Sequence, residues 1–255
     1  MKYSIGIVGS GNVAWHFGHA FKKAGHNIKF VTGRNRDAVT TLASQINAEA
    51  IPLSNKKTAD VIFLTLSDSV IVDFLKKYPF KNAFLIHTSG TLSIDILKVF
   101  TDRYGVIYPF QTLTKGIKTN MKDVPLCIEV NNETNLSFLE ELSRSISNSI
   151  NFLSSEQRKI LHLTGVMANN FSNFLYSVAF DILEMNGLNP HLLEPIILET
   201  ATKLINSDPV TAQTGPARRN NQEIIEEHLK LLKSYPEIQQ LYSLISKLIT
   251  KKYNE

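Results

Sequence analysis

The sequence predicts an α/β chain: a doubly wound, mostly parallel sheet over residues 1–153 followed by an all-α domain over residues 154–255. Three observations predict it. Six of the 12 glycines (Gly6, Gly9, Gly11, Gly18, Gly25 and Gly33) fall in the first 33 residues, so the backbone there does something unusual. Up to Leu153, short apolar runs alternate with helical stretches, as strand and crossover helix do. Beyond Ser154 only helical periodicity remains.

Ile5 to Val8 reads as a strand, and Gly9-Ser10-Gly11-Asn12-Val13-Ala14 follows it directly. Val13 to Ala24 is helical in composition and stops at Gly25, and Ile28 to Thr32 reads as a second strand. This is the context of a dinucleotide-binding turn. Gly9 permits the tight bend, Gly11 admits a pyrophosphate close to the backbone, and Ala14 lets helix and strand pack. Gly9, Ser10, Gly11, Asn12 and Val13 then surround phosphates placed over the helix N-terminus, where unpaired N–H groups favour an anion. The competing reading is a purely structural strand-to-helix turn.

The end of the second strand decides between nicotinamide cofactors, because an NAD enzyme places a carboxylate there for the ribose 2′-hydroxyl. Here the chain reads Arg34-Asn35-Arg36, with no carboxylate before Asp37. Two guanidiniums around Asn35 suit a 2′-phosphate, so NADP is expected as the cofactor. Otherwise the two arginines are ordinary loop charges.

Further strands are expected in Ala59 to Leu66, Ala83 to Ile86 and Val106 to Tyr108. Each leads into a polar loop: Ser67-Asp68-Ser69, His87-Thr88-Ser89-Gly90, and Pro109-Phe110-Gln111-Thr112. Ligands of open α/β sheets bind beyond the carboxyl ends of the strands. Leu66, Ser67, Asp68, His87, Ser89 and Gly90 are therefore placed on the cofactor, and Gln111 on the substrate. Taken singly, each loop is equally a helix cap or turn. Leu126 to Val130 and Ile150 to Leu153 read as two last strands around a helix over Asn135 to Ile146.

Ser154 and Gln157 form a capping box that opens about thirty helical residues, ending at Asn186-Gly187. On a helical wheel, Ile160, Leu163, Met167, Phe171, Phe174, Val178 and Ile182 share one side, expected to be core. The opposite side carries His162, Asn169 and Asn173, with Asn170 beside them. Neutral hydrogen-bonding groups suit a cleft better than a solvated face, so this stripe is expected to face substrate. Gly165, Ala168, Ser172 and Ala179 form a sector of small residues. Helices follow over His191 to Asn206, Gln222 to Lys233 and Pro236 to Lys251. Between the first two, Thr214-Gly215-Pro216-Ala217-Arg218 offers Arg218 to a substrate anion, or serves as helix-start punctuation. His228 lies among Ile224, Ile225, Leu229 and Leu232 and reads as structural.

Composition narrows the class. Against 27 Lys+Arg stand 23 Asp+Glu, a formal +4 without a basic stripe, so nucleic acid is not expected as a partner. No apolar run approaches the roughly 20 residues that cross a bilayer, so no membrane is expected, and Met1 and Lys2 lead straight into a β-type run without an export signal. Cys127 is the single cysteine and no Cys/His cluster has zinc spacing, which points to a reducing cytoplasm and no metal.

The Gly9–Ala14 turn, His87-Thr88-Ser89-Gly90, Tyr108-Pro109-Phe110-Gln111-Thr112, Asn169-Asn170-Phe171 and Thr214-Gly215-Pro216-Ala217-Arg218 occur in the order of one family. The chain resembles, over essentially its whole length, the Rossmann-like proteins with a C-terminal domain of unknown function that are labelled NADP oxidoreductases. More distantly it is similar to pyrroline-5-carboxylate reductase, ketopantoate reductase and the β-hydroxyacid dehydrogenases. The resemblance implies an N-terminal NADP domain, a helical 6-phosphogluconate-dehydrogenase-like second domain, and homodimers formed through the helices. One departure stands out: β-hydroxyacid dehydrogenases carry an acid/base lysine three residues before the paired asparagines, and here that position is Val166. His162 is the nearest titratable group on the same face and the first candidate for proton donor, with Asn169 and Asn170 beside it.

The expected function is an NADP(H)-dependent oxidoreductase that reduces a C=O or C=N bond of a small anionic metabolite. Asn173 and Arg218 join Gln111 as substrate ligands. An NADP-binding sensor or scaffold without turnover is the alternative, and Val166 speaks for it.

Overall fold

Among the described residues, eight strands form one sheet: β1 (Ser4–Val8), β2 (Asn27–Thr32), β3 (Glu49–Ala50), β4 (Val61–Leu64), β5 (Phe84–His87), β6 (Tyr104–Pro109), β7 (Leu126–Val130) and β8 (Ile150–Phe152). The structure is a computed structural model that describes residues 2–55, 57–80 and 82–254. The strand order is β3-β2-β1-β4-β5-β6-β7-β8, and only the β6–β7 pairing is antiparallel. The order reverses between β1 and β4, the switch point at which open α/β sheets hold ligands.

Strand period two feeds two cores. Ile5, Ile7, Val61, Phe63, Phe84 and Ile86 point to one face, where helices α1 (Asn12–Lys23), α2 (Arg36–Ile46) and, further on, α4 (Leu136–Arg144) contribute Phe17, Phe21, Leu42, Ile46, Leu139 and Leu142. Val8, Ile62, Leu64 and Leu85 point the other way, to Ile71 and Leu75 of α3 (Ile71–Lys77) and to Leu97. Helix α1 is aimed by the i,i+4 pair Phe17 and Phe21, both fully buried with Phe63 between them, and it ends at Gly25 with φ of 85°. Burying each such ring stabilises by about 1.5–3 kcal/mol, which fixes the end of α1 relative to β1.

The expected capping box is present: the Gln157 N–H donates to Ser154 Oγ, and the Ser154 N–H to Gln157 Oε1. It opens α5 (Ser155–Gly165), which continues through a π-helical segment (Val166–Phe171) into α6 (Ser172–Met185). The chain divides into two compact units, Met1–Leu175 and Tyr176–Glu255. The first unit extends past the end of the sheet because α5 is bonded to it through Ser155 and Arg158.

One expectation is corrected. Ile160, Leu163, Met167, Phe171 and Phe174 share a side of the helix but are each more than half exposed, so that side is not core of the single chain. Helical phase shows which residues share a side, not whether a neighbour covers them.

The second unit contains the rest of α6, then α7 (Glu194–Asn206), α8 (Pro209–Ala212), α9 (Gln222–Leu231) and α10 (Pro236–Asn254). Neither α6 nor α7 buries a residue. His228 is structural, with Nδ1 2.6 Å from the Tyr242 hydroxyl.

Candidate cofactor and substrate site

The carboxyl ends of β1, β2 and β4 are knitted together at Gly9. Its N–H donates to the Thr32 carbonyl at 2.7 Å, and its φ of 120° lies where only glycine is comfortable. A Cβ there would stand 2.4 Å from the Thr65 carbonyl oxygen. Gly11 is the opposite case: a Cβ would meet no protein atom within 4 Å. That open space lies over the first turn of α1, which has no acidic residue and no side-chain cap. Its unanswered N–H groups and dipole favour an anion at this position.

Beside it runs a groove of about 570 Å³ that brings together Gly9, Ser10, Arg34, Asn35, Leu66 and Ser67 of the predicted set, with Gly33 and Thr65 added. Arg34 and Arg36 are both exposed. The Asn35 side chain caps α2 by accepting from the Ala38 N–H at 3.0 Å, which aims the Arg34-Asn35-Arg36 corner. A dinucleotide fits these residues: free volume over a bare helix N-terminus, and guanidinium at the far end. Val13 packs against the core and Asn12 accepts the Lys115 N–H at 3.1 Å, so both side chains are committed within the protein.

The loops after β4 and β5 meet on Asp68. Its carboxylate accepts from Ser89 Oγ at 2.8 Å and from the Thr91 hydroxyl. Ser89 Oγ also accepts from the Thr91 and Leu92 N–H groups, both at 3.0 Å, so this hydroxyl holds the loop together. His87 is fully buried and its Nδ1 accepts the Ser89 N–H at 3.2 Å, which puts the ring hydrogen on Nε2. Burial holds its pKa down at about 3, so it is neutral. His87 and Ser89 therefore shape the loop from inside.

Arg158, one turn into α5, was not found by sequence reasoning. Its buried guanidinium pairs with Glu129 of β7 and donates to the Ser89 carbonyl at 3.1 Å and to the Leu92 carbonyl. Glu129 in turn accepts from the Ser155 N–H and hydroxyl at 2.9 and 2.8 Å. A helix N-terminus is thus fastened to β7 by one ion pair and to the loop after β5 by two carbonyl bonds, and the residue one turn later is brought to the sheet edge.

That residue is His162. Its Nδ1 lies 3.1 Å from the Tyr108 hydroxyl at the end of β6. Gly90 forms the floor: a Cβ there would stand 2.7 Å from His162 Nδ1 and 2.9 Å from Tyr108 Cζ. His162, Asn169, Asn170 and Gln111 come together with Tyr108, Phe110, Thr112 and Val166 around a cavity of about 380 Å³. Burial, with a smaller contribution from the Cys127 thiol, raises the Tyr108 pKa, while Arg158 opposes the rise. Cys127 itself is pushed up to about 11 by burial and stays a thiol. Val166 confirms the departure noted above: an apolar side chain stands in the wall.

The remaining predicted substrate ligands are Asn173 and Arg218. Asn173 is exposed and is not in the wall of this cavity. In the second unit, the Arg218 guanidinium lies 4.6 Å from the centre of the Tyr253 ring and donates to its carbonyl at 3.5 Å. Tyr108 was also missed as a site residue, although its place at the carboxyl end of a strand leading into a polar loop was a usable signal. No helix among the described residues is long and apolar enough to cross a membrane.

Comparison with known proteins gives a consistent picture. Residues 4–90 match the family model described as NADP oxidoreductase coenzyme F420-dependent, and residues 124–249 match a domain of unknown function, DUF2520. The search of curated proteins found no match. The structure is similar to that of the "putative NADP oxidoreductase" BF3122 from Bacteroides fragilis, with 32% identity, 98% of each chain covered and a TM-score of 0.93. Protein TM1727 from Thermotoga maritima follows with 25% identity, 98% of this chain and 100% of that one covered, and a TM-score of 0.82. A 1-pyrroline-5-carboxylate reductase from Streptococcus pyogenes shares the fold at 15% identity, 98% and 99% coverage and a TM-score of 0.67. With a Rossmann-type sheet and near-complete overlap at this identity, the chain belongs to the NAD(P)-dependent oxidoreductase family in which an F420-type NADP oxidoreductase domain is joined to a domain of unknown function.

Proposed function

We propose that the chain is an NADP(H)-dependent reductase of a C=O or C=N bond in a small anionic metabolite. The observation that carries this reading is the groove from Gly9 to Arg34, with open space over Gly11 and a bare helix N-terminus at one end and guanidinium at the other. Gly9, Ser10 and Gly11 hold the pyrophosphate, Arg34 and Arg36 the 2′-phosphate, and Leu66, Ser67 and Asp68 the nicotinamide end. A nicotinamide cofactor held there would supply a hydride to the substrate carbon. His162 gives a proton to the heteroatom, and Asn169, Asn170 and Gln111 hold the substrate in the cavity with Tyr108.

The exposed apolar side of α5 to α6 and the unburied α7 fit a second copy of the chain, so we assign a homodimer formed through the helices; sedimentation velocity showing only monomer at micromolar concentration would refute it. A buried, unreactive Cys127 suits a cytoplasmic protein. Val166 in the cavity wall favours a second reading, an NADP-binding sensor. Calorimetric titration with NADPH and NADH tests the cofactor, and absence of heat with both overturns the proposal. Loss of nicotinamide absorbance on addition of keto acids, cyclic imines or aldehydes distinguishes enzyme from sensor.

A further inference from the structure

His162 has two ring nitrogens, and only one is available to a substrate. Nδ1 faces the Tyr108 hydroxyl at 3.1 Å, the two rings meet edge to face at 6.0 Å, and Gly90 leaves no room for either to retreat toward the loop after β5. Among the described residues, Nε2 has no hydrogen-bonding partner, and His162 is part of the cavity wall. We propose that Tyr108 is the positioning residue of the proton transfer: its hydroxyl holds Nδ1 in every protonation state, so that Nε2 is always the nitrogen offered to the substrate heteroatom. The inference rests on the reductase reading.

The choice of a phenol has a chemical logic. A hydroxyl oxygen accepts from the Nδ1–H of the charged ring and equally from that of the neutral ring that remains once Nε2 has given up its proton. The charged ring places Nδ1–H on the phenol oxygen and Nε2–H toward the substrate. The Nε2 proton moves to the heteroatom, and the imidazole is left neutral with its hydrogen on Nδ1, still bonded to Tyr108. Solvent returns a proton to Nε2. A carboxylate in the place of Tyr108 would instead stabilise the imidazolium and make its proton harder to give up. Burial keeps the phenol itself from ionising, so it passes through the cycle uncharged. The ionisable groups that act on Tyr108 are Cys127 across the β6–β7 pairing and Arg158, which shares a helix with His162. The thiol is neutral, and the guanidinium is held by Glu129.

The test needs no substrate. The ring nitrogens of His162 are followed by 15N NMR through a pH titration, with the signals assigned by their loss in His162→Gln. In the unaltered chain, Nδ1 should show a hydrogen-bonded resonance on both sides of the titration. Tyr108→Phe, which keeps the ring packing, should move that resonance, with NADPH affinity within about twofold of the original. An unchanged Nδ1 resonance in Tyr108→Phe overturns the proposal. If that variant does not fold, a Nδ1 resonance typical of a solvent-exposed imidazole in the unaltered chain overturns it equally. Calorimetry on the same samples separates the two ideas: NADPH binding with an unperturbed Nδ1 sinks only the Tyr108 role, whereas failure to bind NADPH removes the reductase reading and the role with it.

Discussion

The backbone N–H of Lys115 donates to Oδ1 of Asn12 across 3.1 Å, and next to it the Thr114 carbonyl meets Nε2 of the buried His16 at the same distance. The loop that lines the cavity with Gln111 and Thr112 is therefore tied, three residues on, to the first turns of α1. Asn12→Ala should lower stability by about 0.5–1.5 kcal/mol, the usual net worth of such a bond. It should also weaken NADPH binding several-fold, although the side chain is engaged by the loop. Denaturant melts and calorimetry measure both. An unaltered NADPH affinity would show that loop and phosphate turn are independent.

Cofactor choice depends on the corner after β2. Arg34→Asp combined with Arg36→Ser should weaken NADPH binding by roughly 10–100-fold, since charge-assisted hydrogen bonds are worth about 1.5–3 kcal/mol. NADH binding should change little. Parallel titrations with the two nucleotides decide the matter, and equal losses would remove the 2′-phosphate assignment.

Arg158 and Glu129 form a pair whose guanidinium is almost wholly buried. Arg158→Met leaves a part-buried carboxylate without its cation and should cost about 3–5 kcal/mol in urea unfolding. Replacing both partners, with Glu129→Gln as the second change, should recover part of that loss. A single variant as stable as the original chain would mean that α5 is seated by other contacts.

His87 makes stability depend on pH. Its folded pKa, about 3, lies below the ordinary value of 6.5, so between those limits the unfolded chain binds a proton that the folded chain refuses. Stability contributed by the neutral ring is complete above pH 6.5 and declines as pH falls toward 3, by an amount on the order of 5 kcal/mol over the whole window. His87→Asn can still accept the Ser89 N–H but does not titrate. Urea melts at pH 7 and pH 4.5 should show a smaller acid-induced loss for the variant, and an identical loss would locate the sensitivity elsewhere.

Much of the fold was legible because its signals are local. Leu126 to Val130 was read at its observed bounds, the Ser154–Gln157 box opened the helix as expected, and the Gly9–Ala14 turn sits between the strand and helix that its glycines required. The antiparallel turn at β7 was not legible, since apolar alternation carries no strand direction. Helix α2 was given no bounds, since Arg34-Asn35-Arg36 was weighed for its charge, although Asn35 caps the helix that Arg36 begins. Arg158 and Tyr108 escaped for another reason. Their importance comes from partners 29 and 54 residues away, and no local pattern announces a buried ion pair or a hydrogen bond between strand and helix.

The π-helical turn at Val166–Phe171 has a consequence for how the wall can change. A wider winding lets the neighbouring carboxamides of Asn169 and Asn170 border the same hollow, whereas regular winding sets consecutive residues about 100° apart. Excising one residue, such as Ala168, would remove the extra residue that the wide turn absorbs and let the segment close to regular winding. A lone codon deletion here would thus shift the two carboxamides against the hollow while leaving the composition of the rod almost untouched.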